Sequence, residues 1–279
     1  MNRLRLTLAY DGAAFAGSQI QPGQRTVQGV VESALTTLDG EPVRAVFAGR
    51  TDTGVHALGQ VAHADMHRVR SADQWRQGLN GLLPPDVRIT NGEMVSDRFH
   101  ARYDATWRTY RYMIWNGAVQ LPLQRGTTWH RRSPLDVAAM NAAARALIGE
   151  HDFAAFAGAG KGLPESDAKT VRTMQVAEWT TARDAEAMAG LALAFTIEGS
   201  GFLPHMVRNL VGSLVVIGAG NAPVSWMESL LRGRDRRSAA PMAPPHGLSL
   251  WRIHYDGWDG ERATAVTANA TGRAGETNL

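Results

Sequence analysis

The chain has 279 residues, 44% of them hydrophobic, enough for one large or two medium domains with a substantial core. Its formal charge of +3 is carried almost wholly by arginine, with Lys161 and Lys169 the only lysines, and arginine suits bidentate contact with phosphate and stacking on bases. The absence of cysteine removes disulfides, thiolate metal sites and thiol nucleophiles together, and no apolar run reaches membrane-spanning length. The first residues lack the apolar core of a signal peptide, so the cytoplasm is the expected location.

In chain order, residues 4–9 alternate as a strand, and Thr26 can cap a helix whose apolar face uses Val27, Val30, Val31, Ala34, Leu35 and Leu38. Residues 43–48 and 60–65 read as strands, 72–82 as a helix stopped before Pro84 and Pro85, and 87–95 as another strand. The same order returns with a strand at 109–115, a helix at 134–148, strands at 171–180 and 191–198, an apolar helix at 204–217 and a final strand at 248–255. Two copies of a split βαβ unit predict an α+β fold with largely antiparallel sheets and helices on one face. The expected organisation is an N-terminal half over 1–105, a C-terminal half over 106–256 and a disordered tail over 257–279. The Gly- and Ala-rich stretch 157–168 reads as mobile, and its glycines lack the Lys-Ser/Thr ending of a phosphate loop.

Between the strands at 43–48 and 60–65 lies Ala48-Gly49-Arg50-Thr51-Asp52-Thr53-Gly54-Val55-His56. Glycines on both sides allow Asp52 to be presented to a pocket, while an Asp between Thr and Gly can equally bond its own backbone in a turn. Arg50, two residues earlier, leaves the same face as Asp52 if the segment is extended. A second cluster interleaves Arg98, His100, Arg102, Arg108 and Arg111 with Phe99, Tyr103, Trp107 and Tyr110, a pattern suited to a nucleic-acid surface. The basic run Arg232 to Arg237 follows a helix, where its cations can also answer the helix dipole.

Six motifs resemble, in order and at similar spacing, the tRNA pseudouridine synthases of the TruA type. They are Tyr10-Asp11-Gly12, Thr26-Val27-Gln28, Ala48-Gly49-Arg50-Thr51-Asp52 with Gly54-Val55-His56, Phe99-His100-Ala101-Arg102, Tyr110-Arg111-Tyr112, and His205-Met206-Val207-Arg208-Asn209 with Gly212. The resemblance implies two ferredoxin-like halves joined around a central active-site cleft, a homodimer, and conversion of uridine to pseudouridine at positions 38, 39 and 40 of the tRNA anticodon stem and loop. It implies no cofactor and no metal. By the same resemblance Asp52 is the nucleophile, Arg208 the partner of its carboxylate, and Arg50 the RNA contact that helps hold the flipped base out of the stack. Tyr110 matches an active-site tyrosine that stacks on uracil, and Leu248 an apolar residue of the uracil pocket. One departure is Ser18 in Gly17-Ser18-Gln19, where the family usually has a tryptophan.

The chemistry fits this inventory. Breaking the bond from ribose to uracil N1, turning the base and rejoining it through C5 needs no redox partner, and a carboxylate can attack C6 or C1′ and leave again. Rival pyrimidine chemistries need cysteine: a methyltransferase as nucleophile, a deaminase as zinc ligand. A retaining glycosidase needs a second carboxylate, and none stands near Asp52 in the sequence. A non-catalytic RNA-binding module built from ferredoxin-like halves is the remaining alternative. His56, His63 and His205 have no recurring metal-ligand spacing.

Overall fold

The computed structural model describes residues 2–158, 170–182 and 190–256. The Gly-rich stretch beyond Gly158 and the tail read as disordered lie outside the described residues.

Strand β1 (Asn2–Tyr10) divides its side chains as the alternation requires: Leu4, Leu6 and Leu8 are fully buried. On the other face Arg3 pairs with Asp65 at 2.8 Å and Arg5 with Glu93 at 3.2 Å. Helix α1 (Val27–Asp39) begins where the Thr26 hydroxyl accepts the Gly29 N–H and ends at Gly40, whose φ of 88° suits glycine. Strand β2 (Ala45–Phe47) is shorter than the sequence pattern suggested, and β3 (His56–Met66) is longer, because pairing with β1 extends back to the end of the Asp52 turn. Helix α2 (Ala72–Leu82) opens on a capping box in which Ser71 and Gln74 satisfy each other's backbone N–H groups, and β4 (Val87–Val95) follows.

Beyond residue 105 come β5 (Arg108–Gly117) and a short β6 (Trp129–Arg131) that the sequence pattern did not mark. Helix α3 (Val137–Ala144) is shorter than the predicted 134–148. The Asp136 carboxylate starts it by accepting the Ala139 N–H, and a 3₁₀ turn over 145–147 ends it, leaving Ile148 extended before β7 (Gly149–Asp152). Then follow β8 (Val171–Ala182), β9 (Gly190–Gly199), α4 (Met206–Gly218), α5 (Trp226–Gly233) and β10 (Leu248–Ile253). Helix α4 is buried along almost its whole length, as its apolar sequence predicts.

The fold is α+β, and the ten strands among the described residues form one sheet whose main path runs β4-β1-β3-β10-β5-β9-β8-β7, β2 pairing with β3 and β6 with β5. Among the described pairings only β3–β10 and β5–β6 are parallel. Strand β10, last in sequence, lies in the middle and joins the strands before residue 105 to those after it. Its register sets Ser249 opposite His56, Leu248 opposite Tyr112 and Leu250 opposite Tyr110. The turn carrying Asp52 therefore enters the sheet beside the strand pair that carries Tyr110 and Leu248.

Candidate active site

The turn before β3 is held by polar groups that the core excludes from water. Ser18 grips Thr51 from both sides: its hydroxyl accepts the Thr51 N–H at 2.8 Å, and its own N–H donates to the Thr51 carbonyl at 3.0 Å. The Thr51 side-chain hydroxyl meets the Tyr10 hydroxyl at 2.8 Å, and the Gln60 amide donates to the Gly49 carbonyl at 2.9 Å. Ser18, Thr51, Tyr10 and Gln60 are all buried. Burial pushes the Tyr10 hydroxyl up to about 12, so it stays neutral and can share a proton with Thr51. Gly12 has no room for a side chain, since a Cβ there would lie 2.0 Å from the Val55 carbonyl oxygen. Its N–H donates to His56 Nδ1 at 3.1 Å, and His56 Nε2 meets the Gly126 carbonyl at 3.0 Å.

With its backbone thus clamped, Asp52 spends its carbonyl on the turn, accepting the Val55 N–H at 3.1 Å. Among the described residues no backbone N–H donates to its carboxylate, so the self-capping alternative does not hold. The carboxylate is about one-third exposed in a cleft of about 190 Å³ also lined by Gln19, Arg50, His205 and Arg208. Arg50 is exposed and lines the same cleft as Asp52.

The opposite wall is the first turn of α4, the helix end whose unpaired N–H groups favour an anion. Arg208 is buried and fastened there, its Nε donating to the Ala243 carbonyl at 2.7 Å while the Ala243 N–H donates to the Arg208 carbonyl at 3.1 Å. Burial lowers its pKa, and the Asp52 charge works in the opposite sense, favouring the cation. The direct ionic neighbour of Asp52 among the described residues is His205, with Nε2 3.7 Å from Oδ2. Sequence reasoning noticed His205 but found no role for it, because the contact joins residues far apart in the chain.

Tyr110 is buried, edge-on to Phe202 with ring centroids 5.0 Å apart. Burial first, and then the nearby Tyr10 and Asp52, push its hydroxyl above the ordinary tyrosine range. It thus belongs to the electrostatic surroundings of Asp52. Leu248 is buried beside Tyr112 in the β10–β5 ladder and is not on the cleft wall. Tyr112 is a structural residue whose hydroxyl donates to the Pro244 carbonyl at 2.8 Å.

The cluster around residues 98–111 disperses on folding. Phe99 is fully buried against Tyr255, Arg108 donates to the backbone carbonyls of Ala105, Ser200 and Arg102, and Arg111 lies 3.9 Å over the Trp251 ring. What remains outward is Arg98, Arg102 and Tyr103, the last 77% exposed and stacked on His100 at 4.2 Å. His63 is buried and accepts the Ala101 N–H, and burial, with Arg3 nearby, lowers it to about 4. The run 232–237 forms internal pairs: Arg234 with Asp152, Arg236 with Asn209 and Arg237 with Asp235.

A carboxylate in a cleft lined by two arginines, with a buried tyrosine in its field, matches what uridine isomerisation demands. Comparison with known proteins decides the family. The profile described as tRNA pseudouridine synthase matches residues 7–104 and 143–256. The chain belongs to the tRNA pseudouridine synthase family. It is 48% identical over 264 residues to the tRNA pseudouridine synthase A of Solidesulfovibrio magneticus, covering 91% of this chain and 92% of the relative. To the protein of that name from Myxococcus xanthus it is 42% identical, covering 97% and 98%, and to that from Chloroflexus aurantiacus 47%, covering 91% and 89%. As a member of this family the chain is an isomerase acting on tRNA. No helix among the described residues is long and apolar enough to cross a membrane.

Proposed function

We propose that this isomerase converts uridine to pseudouridine at positions 38, 39 and 40 of the tRNA anticodon stem and loop, with Asp52 as nucleophile. The carrying observation is the free carboxylate of Asp52, presented by a rigid turn to a cleft that also holds Arg50 and Arg208. Attack by the carboxylate on uracil C6 or ribose C1′ forms a covalent adduct that lets the N1 bond break. The base turns, C5 joins C1′, the C5 proton leaves while N1 takes up one in its place, and Asp52 is released unchanged. Nothing is added or removed, so no cofactor is required.

The reaction needs the base outside the helical stack, which costs a few kcal/mol. Arg50, exposed at the cleft, is suited to fill the space left behind and to meet phosphate. Arg208 favours the ionised carboxylate, Tyr110 offers a ring to stack on uracil, and Leu248, buried on the neighbouring strand β10, backs the base pocket with apolar packing rather than lining the cleft. Division into halves 1–105 and 106–256 belongs to the same proposal, as do assembly as a homodimer and work in the cytoplasm.

The test incubates unmodified tRNA with wild-type protein and with Asp52→Asn, then maps pseudouridine by nucleotide. Product at 38–40 with wild type only, and tRNA binding by both, is expected. Equal product from the two would remove Asp52 as nucleophile, and product elsewhere in the tRNA would overturn the assigned positions.

A further inference from the structure

The cleft contains one titratable side chain to which the reaction above assigns nothing. His205 is the residue before α4, and it adopts φ 61° and ψ 0°, one of two non-glycine residues among those described with positive φ. Left-handed backbone at a bulky residue persists only where its surroundings enforce it, and such positions cluster at functional sites. Here the enforcement is visible. The His205 carbonyl accepts the Asn209 N–H at 3.0 Å as the first bond of α4, and Asn209 is itself pinned by donating to the Phe156 carbonyl at 2.7 Å and accepting from Arg236 at 2.8 Å. Gly158 donates its N–H to the Pro204 carbonyl at 2.8 Å and presses its bare α-carbon against the imidazole; a Cβ there would lie 2.3 Å from Nδ1. The Nδ1 edge is thus backed by Gly158, while Nε2 faces Asp52 at 3.7 Å.

We propose that His205 is a positioning residue, whose imidazole orients the Asp52 carboxylate in the cleft. The proposal rests on Asp52 as nucleophile only for its catalytic consequence; the pairing itself does not. At 3.7 Å the imidazole is beyond direct hydrogen-bond reach and within ion-pair distance of the carboxylate. With one oxygen facing the imidazole, the other is left to attack. The charged groups facing His205 are Asp52 and Arg50 from the turn and Arg208 from its own helix, so the sole anion on the cleft wall stands among three groups able to carry positive charge. Both partners are about one-third exposed, which moderates but does not abolish the coupling.

Two measurements test it. The first follows the ring resonances of His205 by NMR in the full-length protein, with wild type compared to Asp52→Asn. Removing the carboxylate's charge should displace those resonances, a readout independent of catalysis. Unmoved resonances overturn the proposal, whatever the activity of Asp52→Asn. The second is single-turnover pseudouridine formation, with tRNA affinity measured beside it, by His205→Asn, which tolerates positive φ, and by His205→Gly, which relieves it. In both variants the rate at saturating tRNA should fall about tenfold, with tRNA affinity little changed. A wild-type rate in His205→Gly would overturn the positioning role. If the NMR coupling is present but Asp52→Asn keeps full activity, the nucleophile assignment fails and the catalytic consequence drawn for His205 fails with it.

Discussion

Replacing Ser18 by alanine removes one atom, the hydroxyl that accepts the Thr51 N–H at 2.8 Å, and leaves the backbone bond from Ser18 N–H to the Thr51 carbonyl in place. Ser18 is 2% exposed and Thr51 6%, so water cannot take over and the Thr51 N–H is left buried and unpaired. Such a loss costs about 1–3 kcal/mol. A chain of this size loses roughly 2–4 °C in Tm per kcal/mol, so a fall of about 2–12 °C in thermal denaturation is expected. Asp52 follows Thr51 directly, and displacement of a reacting group by about 1 Å can cost on the order of 100-fold in rate. Single-turnover pseudouridine formation at a temperature where the variant remains folded should therefore fall by at least about tenfold. A variant with wild-type Tm and wild-type rate would refute the claim that Ser18 holds the Asp52 turn.

Three further outcomes can be measured. His63, held neutral with a pKa of about 4 against an unfolded value near 6.5, stabilises the fold fully above pH 6.5 and progressively less below it, because the unfolded chain then takes up the proton first. Urea denaturation should show a loss of about 2 kcal/mol between pH 7 and pH 5, with His63→Gln flattening the dependence; an equal slope in both proteins would contradict it. Gly212→Ala should destabilise despite the roughly 1 kcal/mol that alanine gains over glycine in a helix, because its Cβ would lie 2.1 Å from the Pro241 carbonyl oxygen in the segment that fastens Arg208. A raised Tm in that variant would show that the segment yields freely. Tyr103→Ala should weaken tRNA binding about 5- to 150-fold if the exposed ring stacks on a base, and titration with unmodified tRNA giving an unchanged Kd would exclude that contact.

Much of the element order was legible because it rests on local chemistry. Thr26 and Ser71 announce their helices as caps, Leu4, Leu6 and Leu8 alternate as one buried strand face demands, and the run after Pro204 is apolar enough to require a buried helix. Less legible were the end of α3, where Ala-rich sequence would continue a helix but tertiary pairing of β7 with β8 takes the chain away, and β6, whose three residues carry no periodic signal. The mixed basic and aromatic segment at 98–111 misleads as a surface, because Phe99 and Tyr110 enter the core while Arg108 and Arg111 are taken up by backbone carbonyls and the Trp251 ring.

For the site the division is sharper. Arg50, Asp52 and the glycines around them are neighbours in sequence, so a presented carboxylate with an arginine beside it could be read from spacing alone, and the family motifs named Tyr110, Arg208 and Leu248. Which of two uses Asp52 serves could not be read, since capping and catalytic aspartates share the same local pattern. Only the tertiary structure removed the capping use, by fastening the turn to Ser18, Tyr10 and Gln60 and leaving the carboxylate to the cleft. It also brought His205 to 3.7 Å from a residue more than 150 positions away, through a left-handed backbone that sequence propensity disfavours. Contacts of that kind depend on how sheet and helix pack across the whole chain, and no local pattern encodes them.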